Sequence, residues 1–597
     1  MTKSAMAKLS DTVNSAMGRQ KADLVIKNVS IINVIDGSIK KGDIAIQGNS
    51  IIGTYDEYHG EKEIDGTDLY AAPGFIDCHV HVESSMITPM EFDRCVLQHG
   101  TTTAMCDPHE ASNVLGEDAL KYFQDASDNT VMDLFVQLSS CVPATKLETS
   151  GAELDAKTLM KYAAHPNTVG LAEFMDIGGV LGLAPDTMEK LAEMETGHVD
   201  GHLPGITGYA LNAMAACGIC NCHESTDIEQ AREKLAKGIQ VFIREGTVCK
   251  DMEALHPLID ARLTPFLGFC TDDRNPLEIR EHGHLDYLIK TAIDKGADPI
   301  DVYRIASWSA AQGFGLHKNT SKWQRRGLIA PGFQADIVLM NDYKTCDIDS
   351  VIKNGKLVDD HSFERRSIPK PIGFNSVHIN SLSADDFNLP GNDMHNQDVI
   401  GLIKDQIVTE HLKLPLKTDE KGHLQRDLDN DVLKISVLER HNRNGNKAIG
   451  FVKGFGFDEG AIACSVGHDS HNITCVGASD EDMALACNRI KEMQGGYVIV
   501  KNGKVLGELP LPIAGLMSDK NFEDVCEDLE GMRAASKELG SALEEPTMML
   551  AFLPLCVIPS LKITDFGLVR FSPDKGDQEP VLIDDQRRNK PENTPVP

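Results

Sequence analysis

Apolar positions fall into three textures along the chain. Over residues 22–72 they come in short β-like pieces, Leu24-Val25-Ile26, Val29 to Val34, Ile44-Ala45-Ile46 and Ile51-Ile52. Turn signals at Asp36-Gly37 and Gln47-Gly48-Asn49 separate them. The same texture returns over residues 327–358, as in Ala335-Asp336-Ile337-Val338-Leu339 and Val351-Ile352-Lys353. Two β blocks flanking a long middle predict one small β-sandwich built from both flanks, residues 1–72 with 321–370, residues 1–21 being an N-terminal extension.

The middle, residues 73–320, repeats a βα rhythm. Apolar strands are expected to end near His81, Asp107, Ser139, Glu173, His202, His223, Glu245 and Asp272. Helical stretches are expected between several of them, at 117–126, 154–164, 185–195 and 228–237. Units of this size, eight in a row, close a TIM-like (β/α)8 barrel. The fit is weakest around Val199, where the strand is short. Past residue 375 the pattern changes to strands at 431–437, 448–452, 461–464 and 497–501 with helices at 479–493 and 521–539. That reads as an additional C-terminal α/β domain over residues 371–571. The polar, proline-rich tail, 572–597, is expected to be disordered.

A chain of 597 residues is too long for one core. Its 41% hydrophobic and 25% charged residues are ordinary for a soluble protein, and no run of eighteen apolar residues predicts a membrane span. The N-terminus lacks the apolar core of a secretory signal, so a cytoplasmic protein is expected. Cys217, Cys220 and Cys222 are not followed by a second pair at zinc-ribbon spacing, which leaves buried thiols in a reducing compartment as the reading. A formal charge of -32 repels nucleic acid and anionic membranes and suits a small neutral substrate.

Against that background one segment carries chemistry, Pro73-Gly74-Phe75-Ile76-Asp77-Cys78-His79-Val80-His81-Val82-Glu83. Alternation along a strand puts His79 and His81 on one face, with Asp77 and Glu83 on the same side. Two imidazoles at the carboxyl end of an apolar strand are half of a transition-metal site. Partners stand where further strands should end, at Glu173, His202, His223 and Asp272. Each alone could be a cap or a solvated loop residue; the order His-x-His, acid, His, His, Asp is hard to reach by accident.

That order, with the stretches Pro73–Ser85 (PGFIDCHVHVESS), Cys106–Glu110 (CDPHE), Gly170–Met175 (GLAEFM), Asp200–Gly205 (DGHLPG), Cys222–Ser225 (CHES) and Thr271–Arg274 (TDDR), resembles the amidohydrolase superfamily, and within it the adenine deaminases. The resemblance covers nearly the whole chain. Many superfamily members bridge two metals with a carboxylated lysine on the fourth strand; this chain has Glu173 there, a departure that the adenine deaminases share. The resemblance implies a binuclear divalent metal centre, one metal held by His79, His81 and Asp272 and a second by His202 and His223, with Glu173 bridging. It favours manganese or iron, with zinc possible.

The implied activity is hydrolytic deamination of adenine to hypoxanthine and ammonia in purine salvage, by water that the metals activate. Asp272 is expected to shuttle the proton to the leaving amine. Alternation through Phe266, Gly268 and Cys270 aims it into the barrel mouth and turns Asp273 away. Glu83, His109 and Glu110 are candidates for protonating the purine ring. Asp107, Glu224 and Asp273 are candidates for holding substrate or orienting the ligand histidines. His468, Asp469 and His471 read as a polar turn that could close over the mouth. A homo-oligomer, dimer or larger, is expected. The rival enzyme reading is a cyclic-amide hydrolase of the hydantoinase or dihydroorotase type; a scaffold that lost its chemistry would lack ligands, and all six are present.

Overall fold

The apolar pieces at either end of the barrel segment are hydrogen-bonded to one another. The computed structural model describes residues 2–195, 197–320, 322–364, 366–391, 396–404, 406–572 and 579–587. In it Ala22–Ile32 pairs antiparallel with Ile39–Gln47 and parallel with Gly60–Asp65 and Tyr70–Pro73. Tyr70–Pro73 in turn pairs antiparallel with Ile337–Asp342, which lies beyond the barrel in sequence. The flanks thus form one continuous eight-stranded sheet where a sandwich of two facing sheets was expected. The sheet bends round its own core of Ile26, Ile31, Ile44, Ile46, Ile337 and Ile352. Its two outer turns meet: a Cβ on Gly355, whose φ is +76°, would stand 2.2 Å from the Gly48 carbonyl oxygen. The N-terminal extension is helical over Thr2–Ala16.

Eight strands follow in parallel: Phe75–Val80, Thr101–Cys106, Asp133–Leu138, Thr168–Phe174, His198–Gly201, Asn221–Cys222, Gln240–Arg244 and Leu267–Cys270. The first five and the last three form two ladders. Backbone hydrogen bonds close both seams: Cys220 N–H to Val199 O (3.1 Å) on one side, Asp272 N–H to His79 O (3.0 Å) on the other. The sheet therefore curls into a barrel. Its strands are buried on both faces, which is why they read as continuous apolar runs. The strand around Val199 has four residues, but the shortest is Asn221–Cys222 with two.

Over the barrel mouth lies a second eight-stranded sheet that includes Val432–Leu438, Ala461–Gly467, Asn472–Gly477 and Gly496–Lys501, backed by helices Asp480–Met493 and Phe522–Leu539. A further three-stranded sheet corrects the expectation for the tail: Val581–Asp585 pairs antiparallel with Gly567–Phe571, using the apolar run Val581-Leu582-Ile583. The remainder of that expectation, at 573–578 and 588–597, lies outside the described residues. All fifteen cysteines are free thiols, buried except for the half-buried Cys217 and Cys220. Among the described residues no helix is long and apolar enough to cross a membrane.

Candidate metal centre

Strand carboxyl ends bring the six expected ligands together. His79 Nε2 and His81 Nε2 stand 3.0 Å apart. His81 is 3.3 Å from Glu173 Oε1 and 3.2 Å from Asp272 Oδ1, and His79 is 3.7 Å from the same Asp272 oxygen. The other oxygen of Glu173 faces His202 Nδ1 at 2.7 Å and His223 Nε2 at 3.2 Å. The His79 and His223 rings stack at 4.1 Å. Every one of these residues is buried.

Electrostatics lock the carboxylates in the charged form. Burial pushes Glu173 upward, but His202, His223 and His81 outweigh it and hold its carboxyl well below the usual range. Asp272 behaves alike: burial raises it, and His81 and the Arg244 guanidinium bring it well below. His79 is driven well down, first by burial and then by the neighbouring His223 and His81.

This donor set fits divalent metals. His81 gives its Nδ1–H to the Asp107 carbonyl oxygen at 3.0 Å, which leaves the Nε2 lone pair facing Glu173 and Asp272. Two imidazole nitrogens that approach each other among carboxylates, with no amide or hydroxyl donor between them, are arranged as a cation would need. Groups such as His79–His81–Asp272 and His79–Glu173–His223 keep their ligand atoms within 4.8 Å of one another. Imidazole and carboxylate donors suit manganese, iron or zinc.

Around this core stand the other candidates. Glu224 is 3.5 Å from His223 Nε2 and pairs with Arg244. His109 Nδ1 is 3.0 Å from Asp107 and 3.4 Å from Glu173. Glu110 accepts a hydrogen bond from the Ser84 hydroxyl (2.6 Å), and its Oε2 is buried without a hydrogen-bond partner. Glu83 accepts from the Ala111 N–H (3.0 Å), its Oε2 is likewise buried without a hydrogen-bond partner, and neither Glu83 nor Glu110 lines the cavity at the ligands. Burial lifts Glu83 to about 7 and, with Glu83 beside it, raises Glu110 well above the usual range.

Two orientations differ from simple alternation. The ladder between the first two strands shifts register between Asp77 and Val80, so Asp77 leaves the face of the histidines and accepts from the Thr271 hydroxyl (2.6 Å). Asp272 takes a left-handed φ of +55°, which ends the alternation there. Asp273 therefore lines the same cavity as Asp272, with Oδ1 buried and unpartnered, and burial together with Asp272 lifts it to about 7. Phe266, read as inward, is 57% exposed.

The stretch at 468–471 is a turn, as expected, and a buried one. His468 and Asp469 are buried and line the cavity with Phe552, on whose ring His468 stacks at 4.4 Å. His471 is buried beside them. Arg244 went unread in the sequence. Closing the apolar strand Gln240–Arg244, it pairs with Glu224, Asp251 (3.0 Å) and Asp272 (2.9 Å). It stands at a strand carboxyl end, as the expected metal ligands do, but a charge there does not mark a site residue until its partners are folded around it.

Residues 70–358 match the model of the amidohydrolase family, and residues 406–575 that of the adenine deaminase C-terminal domain. The chain is 52% identical to an adenine deaminase of Gluconobacter oxydans over 558 residues, 93% of this chain and 97% of that one. It is 48% identical to adenine deaminase 1 of Agrobacterium fabrum over 561 residues, 94% of this chain and 96% of that one. To adenine deaminase 1 of Rhizobium meliloti it is 49% identical, over 93% of this chain and 97% of that one.

Proposed function

This chain belongs to the adenine deaminase family of amidohydrolases, and we propose that it hydrolyses adenine to hypoxanthine and ammonia, a step of purine salvage. The observation that carries this is the division of imidazoles between the two oxygens of Glu173: Oε1 faces His81, and His79 at 3.9 Å, while Oε2 faces His202 and His223. On this reading His79, His81 and Asp272 would hold one metal and His202 and His223 a second, with Glu173 as a further ligand. Manganese or iron is favoured, by the family likeness. When bound, such a metal supplies the Lewis acidity that makes water nucleophilic at neutral pH.

The protein's own groups handle the protons. Asp272 has one oxygen anchored by Arg244 and the other toward the histidines. The Asp272 carboxylate takes the proton of the attacking water and passes it to the amine, which leaves as ammonia when the bond from C6 to the exocyclic nitrogen breaks. Attack places charge on the purine ring. Glu110 and Asp273, whose carboxyl pKa values burial raises and each of which has an unpartnered oxygen, are candidates to donate to it, Asp273 from the cavity lining itself. His109 and Glu224 orient the histidine cluster, and Glu83, buried with its own unpartnered oxygen, is a further candidate donor beside Glu110.

The test is ammonia release from adenine, adenosine and dihydroorotate after loading with manganese, iron or zinc. Adenine alone should react. Turnover of dihydroorotate instead would favour a cyclic-amide hydrolase, and comparable rates on adenosine would demand a more open pocket. No ammonia from adenine with any of the three metals would overturn the proposal.

A further inference from the structure

The centre is closed in by the region above it. The cavity at the metal ligands measures only about 20 Å³, little more than the ~10–15 Å³ that one water needs. Ile407, His468, Asp469, Phe552 and Leu555 line it from above. Beside it lies a chamber of about 400 Å³, within the ~300–1,000 Å³ typical of small-molecule sites. The two cavities share Glu224, Arg244 and Ile407. The chamber's outer lining, Thr226, Lys250 and Glu253, is exposed, whereas Arg244 and Glu224 are 2% and 4% exposed. It therefore runs from the surface to the back of the metal centre.

We propose that this chamber is the entry vestibule through which the purine base reaches the centre, and that the Arg244–Glu224 pair is its inner gate. The inference rests on the purine deaminase reading. The chemistry of the chamber floor selects the ligand class. Arg244 is matched by Glu224, Asp251 and Asp272, so the floor presents no spare positive charge. Lys250 and Lys404 stand on the chamber's lining beside Glu253, but at the floor a phosphate would meet the carboxylates of Glu224 and Asp251. A neutral, planar heteroaromatic base would not, and the lining offers it an amide at Gln230 and an apolar surface at Ala254 and Pro559. Arg244 bonds Asp251 in the chamber, Glu224 through both terminal nitrogens, and Asp272 at the centre, so a base arriving at the floor meets this pair before the catalytic carboxylate.

Filling the vestibule tests this. Thr226→Trp, at the exposed rim, and Ala254→Trp, deeper in, touch no metal ligand. Both should keep two metals and the wild-type melting temperature, while kcat/KM for adenine falls on the order of tenfold or more, as expected for obstructed association. The loss should exceed any loss in kcat at saturating adenine. If both variants keep kcat/KM within about twofold of wild type, the base enters elsewhere and the proposal is overturned. If the wild type itself releases no ammonia from adenine, it is the proposed function that fails, and this inference falls with it.

Discussion

The carboxylate of Asp469 stands 3.4 Å from Nε2 of His109, reaching down from the C-terminal region to the mouth of the barrel. On the other side of the ring Asp107 holds Nδ1 at 3.0 Å. Burial by itself would push this imidazole toward neutrality; the two acids reverse that and hold its pKa well above the ordinary value. The barrel strands thus supply the expected ligands, but the setting of His109 depends on residues that fold outside the barrel.

Asp469→Ala removes one of the two acids while leaving every expected ligand in place. Two metals per chain should remain by elemental analysis. Turnover of adenine should fall about 10–100-fold, the usual cost of losing a group that orients a metal site. Wild-type turnover in this variant would remove Asp469 from the site's machinery.

His79→Ala and His202→Ala act on opposite sides of Glu173. Each should lower bound metal, and the two should differ in which metal is lost, as competition between manganese and zinc during reloading would reveal. Folding should survive, because both residues sit at the strand ends rather than in the packed layers below. Two metals retained in both variants would refute the ligand assignment.

Asp272→Asn keeps a carbonyl oxygen for ligation but cannot accept a proton. It should hold much of its metal and lose about 10²–10⁴-fold in kcat. Asp273→Asn, whose side chain lines the same cavity, is no neutral control. It keeps an N–H donor and loses the acid, so a smaller loss, about tenfold, is expected. If Asp273→Asn proves the more damaging change, the two roles must be exchanged.

Lys562 lies buried under the site's cover, where its ammonium donates to the Phe552 carbonyl (3.0 Å) and the Ile407 carbonyl (2.5 Å). Burial lowers its pKa from 10.5 to about 7. Between those values the unfolded chain binds a proton that the folded chain does not, so stability rises with pH there. The penalty is complete below about 7 and absent above about 10.5. Relative to wild type, Lys562→Met should therefore gain up to about 1.4 kcal/mol for each pH unit lowered across that window. Parallel melting curves at several pH values measure it; a wild-type-to-variant difference independent of pH would show that Lys562 is not held neutral.

The eight strand ends were legible in the sequence because parallel strands buried on both faces leave uninterrupted apolar runs, and each run stops at a polar residue that faces the barrel mouth. His79, His81, Glu173, His202, His223 and Asp272 stand at or near those ends, as do Asp107, Ser139 and Glu245, and it was the family resemblance that singled out the six; the two flanking β blocks were legible separately, from their short apolar pieces and turn signals. What the rule could not carry was any departure from alternation. The register shift after Asp77, in the ladder with the second strand, and the left-handed turn at Asp272 are single backbone events, and they decide that Asp77 leaves the site and Asp273 joins it. Nor could it show Arg244 as a site residue, since an arginine at a strand end reads as a surface charge until Glu224, Asp251 and Asp272 have been folded around it. His468, Asp469 and Phe552 reach the mouth only through packing between segments hundreds of residues apart. No local period encodes that contact, so the cover of the site, and the vestibule beside it, were decided by the tertiary structure.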